Sequence, residues 1–255
     1  MNNDRIQEIL DLMEEARLDY FLISDPQSIA YCTGYYNDPH ERMFVFMISK
    51  HGNHTLFMND LFYLEHDLDV NIVWHKDGQD AIQTIVDEMH FPGRIGIDKN
   101  WASHFLLDLM KKLPDAKYIN ASPCVDLVRM KKDLQEQVLM IESSKINDAV
   151  MEEIIPFIQE GVTEKQLAKK LDELFFNHHS TCYGAIVAFG KNAADPHHEN
   201  DDTPLRKGDC VLIDMGCVYK GYCSDMTRTF FYEGILEEEI KVYEIVKKAN
   251  EDARF

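Results

Sequence analysis

Gly208-Asp209-Cys210-Val211-Leu212-Ile213-Asp214-Met215-Gly216 leads through Cys217-Val218-Tyr219-Lys220-Gly221 into Tyr222-Cys223-Ser224-Asp225-Met226-Thr227-Arg228-Thr229-Phe230-Phe231. Two β-prone runs flank a tight turn containing Lys220-Gly221, which is the pattern of a hairpin. Asp214 stands between Ile213 and Met215 inside an apolar run, where a carboxylate is costly to bury without a partner. A Tyr219-Lys220 loop sets Asp214 directly opposite Asp225; a Lys220-Gly221 loop makes them diagonal neighbours. Both registers put the two carboxylates on one face, because side chains alternate along a strand. Like charges so placed repel. They are therefore either solvated turn residues or oxygen ligands of a divalent metal pair lying between them.

The chain around this hairpin has 255 residues, enough for two modest domains, each with a core. Hydrophobic residues at 45% and charged residues at 28% describe a globular chain rather than a disordered one. A formal net charge of −19 argues against a nucleic-acid partner, which needs clustered Lys and Arg. The start, Met1-Asn2-Asn3-Asp4-Arg5, has no basic-then-apolar leader, and no apolar run approaches the ~18 residues of a membrane span. The expectation is a cytoplasmic protein without membrane contact. The six cysteines (Cys32, Cys124, Cys182, Cys210, Cys217 and Cys223) form no CxxC pair. Cys217 and Cys223 flank the turn and are expected to face each other as reduced, partly buried thiols.

Upstream, apolar residues Ile6, Ile9, Leu10, Met13 and Ala16 lie at helical spacing. Tyr20–Ile23 reads as a buried strand, and Asp25-Pro26 as the cap and first position of a helix ending near Gly34. Strands are expected over 43–49, 54–58, 70–74, 94–98 and 117–120, with helices over 79–89 and 102–112. This alternation predicts a layered α/β domain with a mixed sheet. Pro123 and the stretch 128–133 mark a junction, giving domains 1–124 and 125–255. Beyond it, 134–157 is a long helix with Val138, Ile141, Ile146, Val150 and Ile154 as its apolar stripe. Thr163-Glu164-Lys165-Gln166 signals the start of a second helix, and 183–189 is a strand leading to Gly190 and His197-His198. Leu236 to Arg254 is a last amphipathic helix.

The hairpin segments Ile213-Asp214-Met215-Gly216 and Ser224-Asp225-Met226-Thr227-Arg228-Thr229-Phe230 closely resemble the metal-binding hairpin of the pita-bread metallopeptidases, the family of Xaa-Pro aminopeptidases, prolidases and creatinase. Ile186 to His198, with Phe189-Gly190-Lys191-Asn192-Ala193-Ala194-Asp195-Pro196-His197, is similar to that family's substrate-side segment. Ser24 to Tyr35, around Tyr31-Cys32-Thr33-Gly34, resembles the creatinase-type N-terminal domain, with Cys32 where leucine is usual; there Tyr31, Tyr35, Tyr36 and His40 would line the active-site mouth of a dimer mate. Val128-Arg129-Met130-Lys131-Lys132-Asp133 resembles the Arg-x-x-Lys lead-in to the catalytic domain. The resemblance implies a creatinase/prolidase-like α/β (α+β) domain followed by a partial pita-bread domain, with Asp214 and Asp225 as metal ligands and His197 over the reacting carbonyl. It implies two divalent metals (manganese, with cobalt or zinc as alternatives), proline-containing peptides as substrates and a homodimer.

The family's three further ligands, one histidine and two glutamates, lie downstream of the helix at 236–254. The chain as written is therefore expected to be C-terminally truncated, to bind metal weakly and to be inactive as a peptidase. Two other readings stand beside this one: a naturally short, non-catalytic relative used for binding or dimerisation, and a creatinase-like amidinohydrolase.

Overall fold

The computed structural model describes residues 1–90 and 92–254, and among these the chain separates into two compact units, Met1–Lys131 and Lys132–Phe255. The elements of the first unit run α1 (Asn3–Glu15), β1 (Tyr20–Ile23), α2 (Pro26–Thr33), β2 (Val45–Ser49), β3 (Thr55–Asn59), β4 (Asn71–His75), α3 (Ala81–Asp87), β5 (Arg94–Ile97), α4 (Ser103–Lys112), β6 (Lys117–Asn120) and α5 (Ser122–Met130). Six strands form one sheet in the order β4-β3-β2-β1-β5-β6. The β1–β2 and β2–β3 pairs are antiparallel, while β3–β4, β1–β5 and β5–β6 are parallel. This is the mixed sheet that the alternation of elements predicts.

Both faces of the sheet are covered, so its central strands are apolar throughout rather than alternating. Phe21 and Ile23 of β1 point into one core with Ile6, Ile9 and Met13 of α1, Ile29 of α2 and Val125 and Val128 of α5. Tyr20 and Leu22 point the other way, into a core with Ile82 and Ile85 of α3 and Leu109 of α4. Asp25 caps α2 by accepting from Ser28 N, and Gly34 closes it at φ +81, as its Asp-Pro start and glycine stop imply. Two of the tyrosines expected at a mouth are packing residues: Arg5 lies 4.0 Å over the Tyr31 ring, and Tyr35 meets Phe44 edge-on. Tyr36 and His40 are exposed.

Of the junction read from sequence, Pro123 and residues 128–130 lie within helix α5. Pro123 occupies its first turn and Cys124, Val125 and Val128 are buried. A proline is compatible with the first turn of a helix, so Pro123 begins an element here rather than ending one. The compact units accordingly divide after Lys131.

The second unit contains α6 (Leu134–Ile154), a 3-10 turn at Ile155–Phe157, α7 (Glu164–Asn177), β7 (Thr181–Cys182), β8 (Ile186–Phe189), a 3-10 turn at Gly190–Ala194, β9 (Cys210–Met215), β10 (Cys217–Tyr219), β11 (Tyr222–Cys223), β12 (Met226–Phe231) and α8 (Glu237–Asp252). Two antiparallel three-stranded sheets, β11-β10-β7 and β12-β9-β8, share the long β9–β12 hairpin. The core lies between them and the helices: Val150 and Ile154 of α6, Leu167, Leu171 and Phe175 of α7, and Val187, Phe189, Val211, Ile213 and Met215 of the strands. Among the described residues no helix is long and apolar enough to cross a membrane.

Candidate metal centre

The β9–β12 hairpin turns at Lys220 (φ 48) and Gly221 (φ 85), the two left-handed positions that a two-residue hairpin loop of the primed type requires. The loop is therefore Lys220-Gly221, and the ladder runs Tyr219↔Tyr222, Val218↔Cys223, then Met215↔Met226 and Thr227↔Asp214. Asp225 lies two residues from the partner of Asp214. The two carboxylates are diagonal neighbours on one face.

Alternation along β9 sends Val211, Ile213 and Met215 into the core and leaves Asp214 half-buried on the opposite face. Ile186 of β8 and Thr227 of β12 flank it. The Thr227 hydroxyl donates to Asp214 Oδ1 at 2.6 Å, which fixes the carboxylate and leaves its second oxygen available. The ladder is interrupted where Gly216 meets Ser224 and Asp225. A Cβ on Gly216 would fall 2.2 Å from the Ser224 carbonyl oxygen and 3.5 Å from Asp225 Cα, so only glycine permits this approach. Asp225 is exposed, and among the described residues its side chain has no hydrogen-bond or ion-pair partner. A cleft of about 440 Å³ opens beside it, lined by Ser144, Asn147 and Asp148 of α6, Arg228 and Asn250.

Two carboxylates on adjacent positions, one oriented by a threonine and one uncommitted, fit a hard divalent cation that prefers oxygen donors. Among the described residues no third histidine, cysteine or acidic side chain gathers with them.

His197 stands on the exposed loop after β8, its N–H bonded to Asp195 Oδ1 at 3.0 Å. No hydrogen bond joins it to either aspartate among the described residues. The loop returns along β8, where Asn200 Oδ1 accepts from Val187 N at 2.7 Å and its Nδ2 donates to Ala185 O at 2.8 Å. It is thus tied to the strand whose Ile186 pairs with Asp214.

A second cluster lies at the base of that loop. Glu164 at the start of α7 is fully buried, and its carboxylate gathers with His198 and Asp201. Each of its oxygens already accepts two hydrogen bonds, from Phe189 N and Asn192 Nδ2 on one and from His198 Nε2 and Asp201 N on the other. A cation there would have to displace protein donors. The Asp201 carboxyl is held below the usual carboxylate range, first by the Thr203 hydroxyl and then by its N–H. From sequence, Glu164 shows only as part of the capping signal Thr163-x-x-Gln166, which the structure realises as a reciprocal capping box. His198 shows only as the second member of a doublet.

Cys217 and Cys223 do not face each other. In the observed register Cys217 lies opposite Ser224, which donates its N–H to Cys217 O, and Cys223 lies opposite Val218. The residue across from Cys217 on its other side is Cys182. All six cysteines are free thiols.

Residues 138–254 match the metallopeptidase family M24, and residues 5–131 match the creatinase/prolidase N-terminal domain. A dipeptidase from Pyrococcus horikoshii OT3 is 32% identical, with a TM-score of 0.86 over 97% of this chain and 70% of its own. A prolidase from Thermococcus sibiricus is 29% identical, with a TM-score of 0.90 over 99% of this chain and 72% of its own. An uncharacterised peptidase of Staphylococcus saprophyticus is 27% identical over 98% of this chain and 72% of its length.

Proposed function

As the chain belongs to metallopeptidase family M24 and carries a creatinase/prolidase-type N-terminal domain, we propose that it serves the hydrolysis of Xaa-Pro bonds in short peptides, with Asp214 and Asp225 as metal ligands and His197 at the substrate. The observation that carries this reading is the pair of diagonal carboxylates on one face of the β9–β12 hairpin, with Asp225 uncommitted. Asp214 would hold a cation through the oxygen that Thr227 leaves available, and Asp225, nearer the turn, would be the second carboxylate ligand. Bound metals supply Lewis acidity toward the scissile carbonyl and a water that ionises near neutral pH. His197 donates a hydrogen bond to the oxygen on which charge develops as that carbonyl becomes tetrahedral. Oxygen-only donors favour manganese, with cobalt or zinc as alternatives. Homodimerisation and a cytoplasmic setting complete the reading, the former supported by the exposed Ile240, Val242, Tyr243, Ile245 and Val246 of α8.

Two gathered carboxylates make a weak site, so residues 1–255 alone are expected to bind Mn²⁺ weakly and to turn peptides over slowly or not at all. Calorimetric titration with Mn²⁺ tests the ligands: Asp225→Asn and Asp214→Asn should each abolish the binding seen in the wild type, and unchanged affinity removes the assignment. Any turnover found should be confined to Gly-Pro-type dipeptides; equal cleavage of Gly-Ala removes the proline specificity. Turnover near the ~10 s⁻¹ of an ordinary enzyme would contradict the expected weakness. No Mn²⁺ binding by the wild type would favour a binding or dimerisation role.

A further inference from the structure

We infer that Glu164 is the positioning residue for His197, and that the adjacent histidines divide the work: His198 is the anchor and His197 the free group. This rests on the reading of His197 as the group that meets the substrate. The loop 190–201 leaves the end of β8 and returns beside it, and Glu164 holds it at four points. Its carboxylate accepts from Phe189 N at 2.8 Å, where the loop departs, and from Asn192 Nδ2 at 2.9 Å, in the first turn. It accepts from His198 Nε2 at 2.6 Å, next to His197, and from Asp201 N at 3.1 Å, where the loop returns. The carboxylate is wholly buried, and the His198 side chain is only 13% exposed.

Burying an anion costs free energy unless it is satisfied. Here four donors and the positive end of α7 offset the cost. An ionised carboxylate only accepts, so His198 carries its proton on Nε2. With His198 drawn inward, its neighbour is left on the outside. His197 is exposed, and its ring is free of intramolecular partners among the described residues. A cap needs no such burial: Thr163 and Gln166 already close the start of α7. The buried charge at position 164 is thus spent on the loop rather than on the helix.

Glu164→Gln keeps the shape but turns a donor toward one pair of loop donors, so half the anchorage is lost. Two readouts need neither metal nor turnover. Amide exchange over 190–201 should rise about tenfold while the rest of α7 stays protected. Modification by diethyl pyrocarbonate, fast at His197 and slow at His198 in the wild type, should become comparable at the two rings. His198→Leu should reproduce the rise in exchange, and His198→Gln, which restores a donor, should reverse most of it. Unchanged exchange in both Glu164→Gln and His198→Leu, with His198 still protected in Glu164→Gln, overturns the inference. So does loosening spread evenly over residues 132–254, which would make Glu164 a general stabiliser. In the peptide-cleavage assay, Glu164→Gln should lower kcat more than it raises KM, and should cost nothing further in a His197→Ala background; an additive loss overturns the inference. If Asp214→Asn and Asp225→Asn leave the Mn²⁺ affinity unchanged, the proposed function fails while the exchange and modification readouts still decide the anchorage.

Discussion

A methyl group on Gly216 would lie 2.2 Å from the carbonyl oxygen of Ser224, a separation that cannot be kept without parting the strands. Gly216→Ala is therefore expected to destabilise the protein by about 2–4 kcal/mol and to weaken Mn²⁺ binding, because the displaced backbone is that of Asp225. Urea unfolding measures the first effect; a change within ~0.5 kcal/mol would mean that the hairpin opens easily at this step. The cysteines give a second prediction at this scale. Burial, with the Asp172 carboxylate beside it, pushes the Cys182 thiol up to about 12, and burial alone pushes Cys32 up to about 12. Neither forms the reactive thiolate near neutral pH. Iodoacetamide at pH 8 should label exposed Cys223 first and leave Cys32 and Cys182 largely unmodified; fast labelling of Cys182 would contradict its burial. The aspartates were legible in the sequence because one carboxylate in an apolar strand and another across a hairpin are both local patterns. Glu164 was not, because its four donors come from positions 189, 192, 198 and 201 and meet only in the fold.

Helix α6 shows how an apolar stripe misleads at the scale of an element. Val138 and Ile141, read from sequence as part of the buried face, are 57% and 54% exposed, whereas Ser143 and Asn147 are buried. The polar pair faces the break in the β9–β12 ladder: Ser143 Oγ donates to Cys217 O, and Asn147 Nδ2 to Met215 O, each at 3.4 Å. These carbonyls flank Gly216, so the helix serves the interruption that presents Asp225. Hydrophobicity alone ranks Val138 above Ser143, and only the carbonyls that the facing strands present to the helix reverse the order. Caps are more legible, since their partners lie within three residues. Thr163 Oγ1 accepts from Gln166 N at 3.3 Å while Gln166 Oε1 accepts from Thr163 N at 3.0 Å. Thr163→Ala should cost about 1 kcal/mol in denaturant unfolding. It should leave amide exchange in the loop 190–201 unchanged, separating the cap from the anchorage by Glu164; a loop effect equal to that of Glu164→Gln would merge the two.

At the scale of the whole molecule, the formal charge of −19 and the anchored carboxylates of the first unit make opposite demands as pH falls. Self-repulsion weakens as the protein approaches its isoelectric point near 4.9, so stability should hold or rise modestly between pH 7 and 5. Below that, particular acids decide. Burial pushes the Asp19 carboxyl up, but Lys50 and the N–H groups of Arg94 and Gly93 outweigh it and hold the group below its ordinary 3.8. Lys112 lowers Asp80, and Arg42 lowers Asp77. A carboxyl lowered in the folded state stabilises above its unfolded value and loses that contribution as pH drops through the folded one. The melting temperature should therefore fall steeply below about pH 4. Asp19 joins the end of β2 to the start of β5: it pairs with Lys50 and accepts from Gly93 N at 2.9 Å and Arg94 N at 2.7 Å. Asp19→Asn keeps one acceptor oxygen and removes the charge. It should lower the melting temperature at pH 7 and flatten the acid limb relative to the wild type. A parallel displacement of the whole pH profile would show that Asp19 contributes shape rather than charge, and the acid limb would then fall to Asp77 and Asp80.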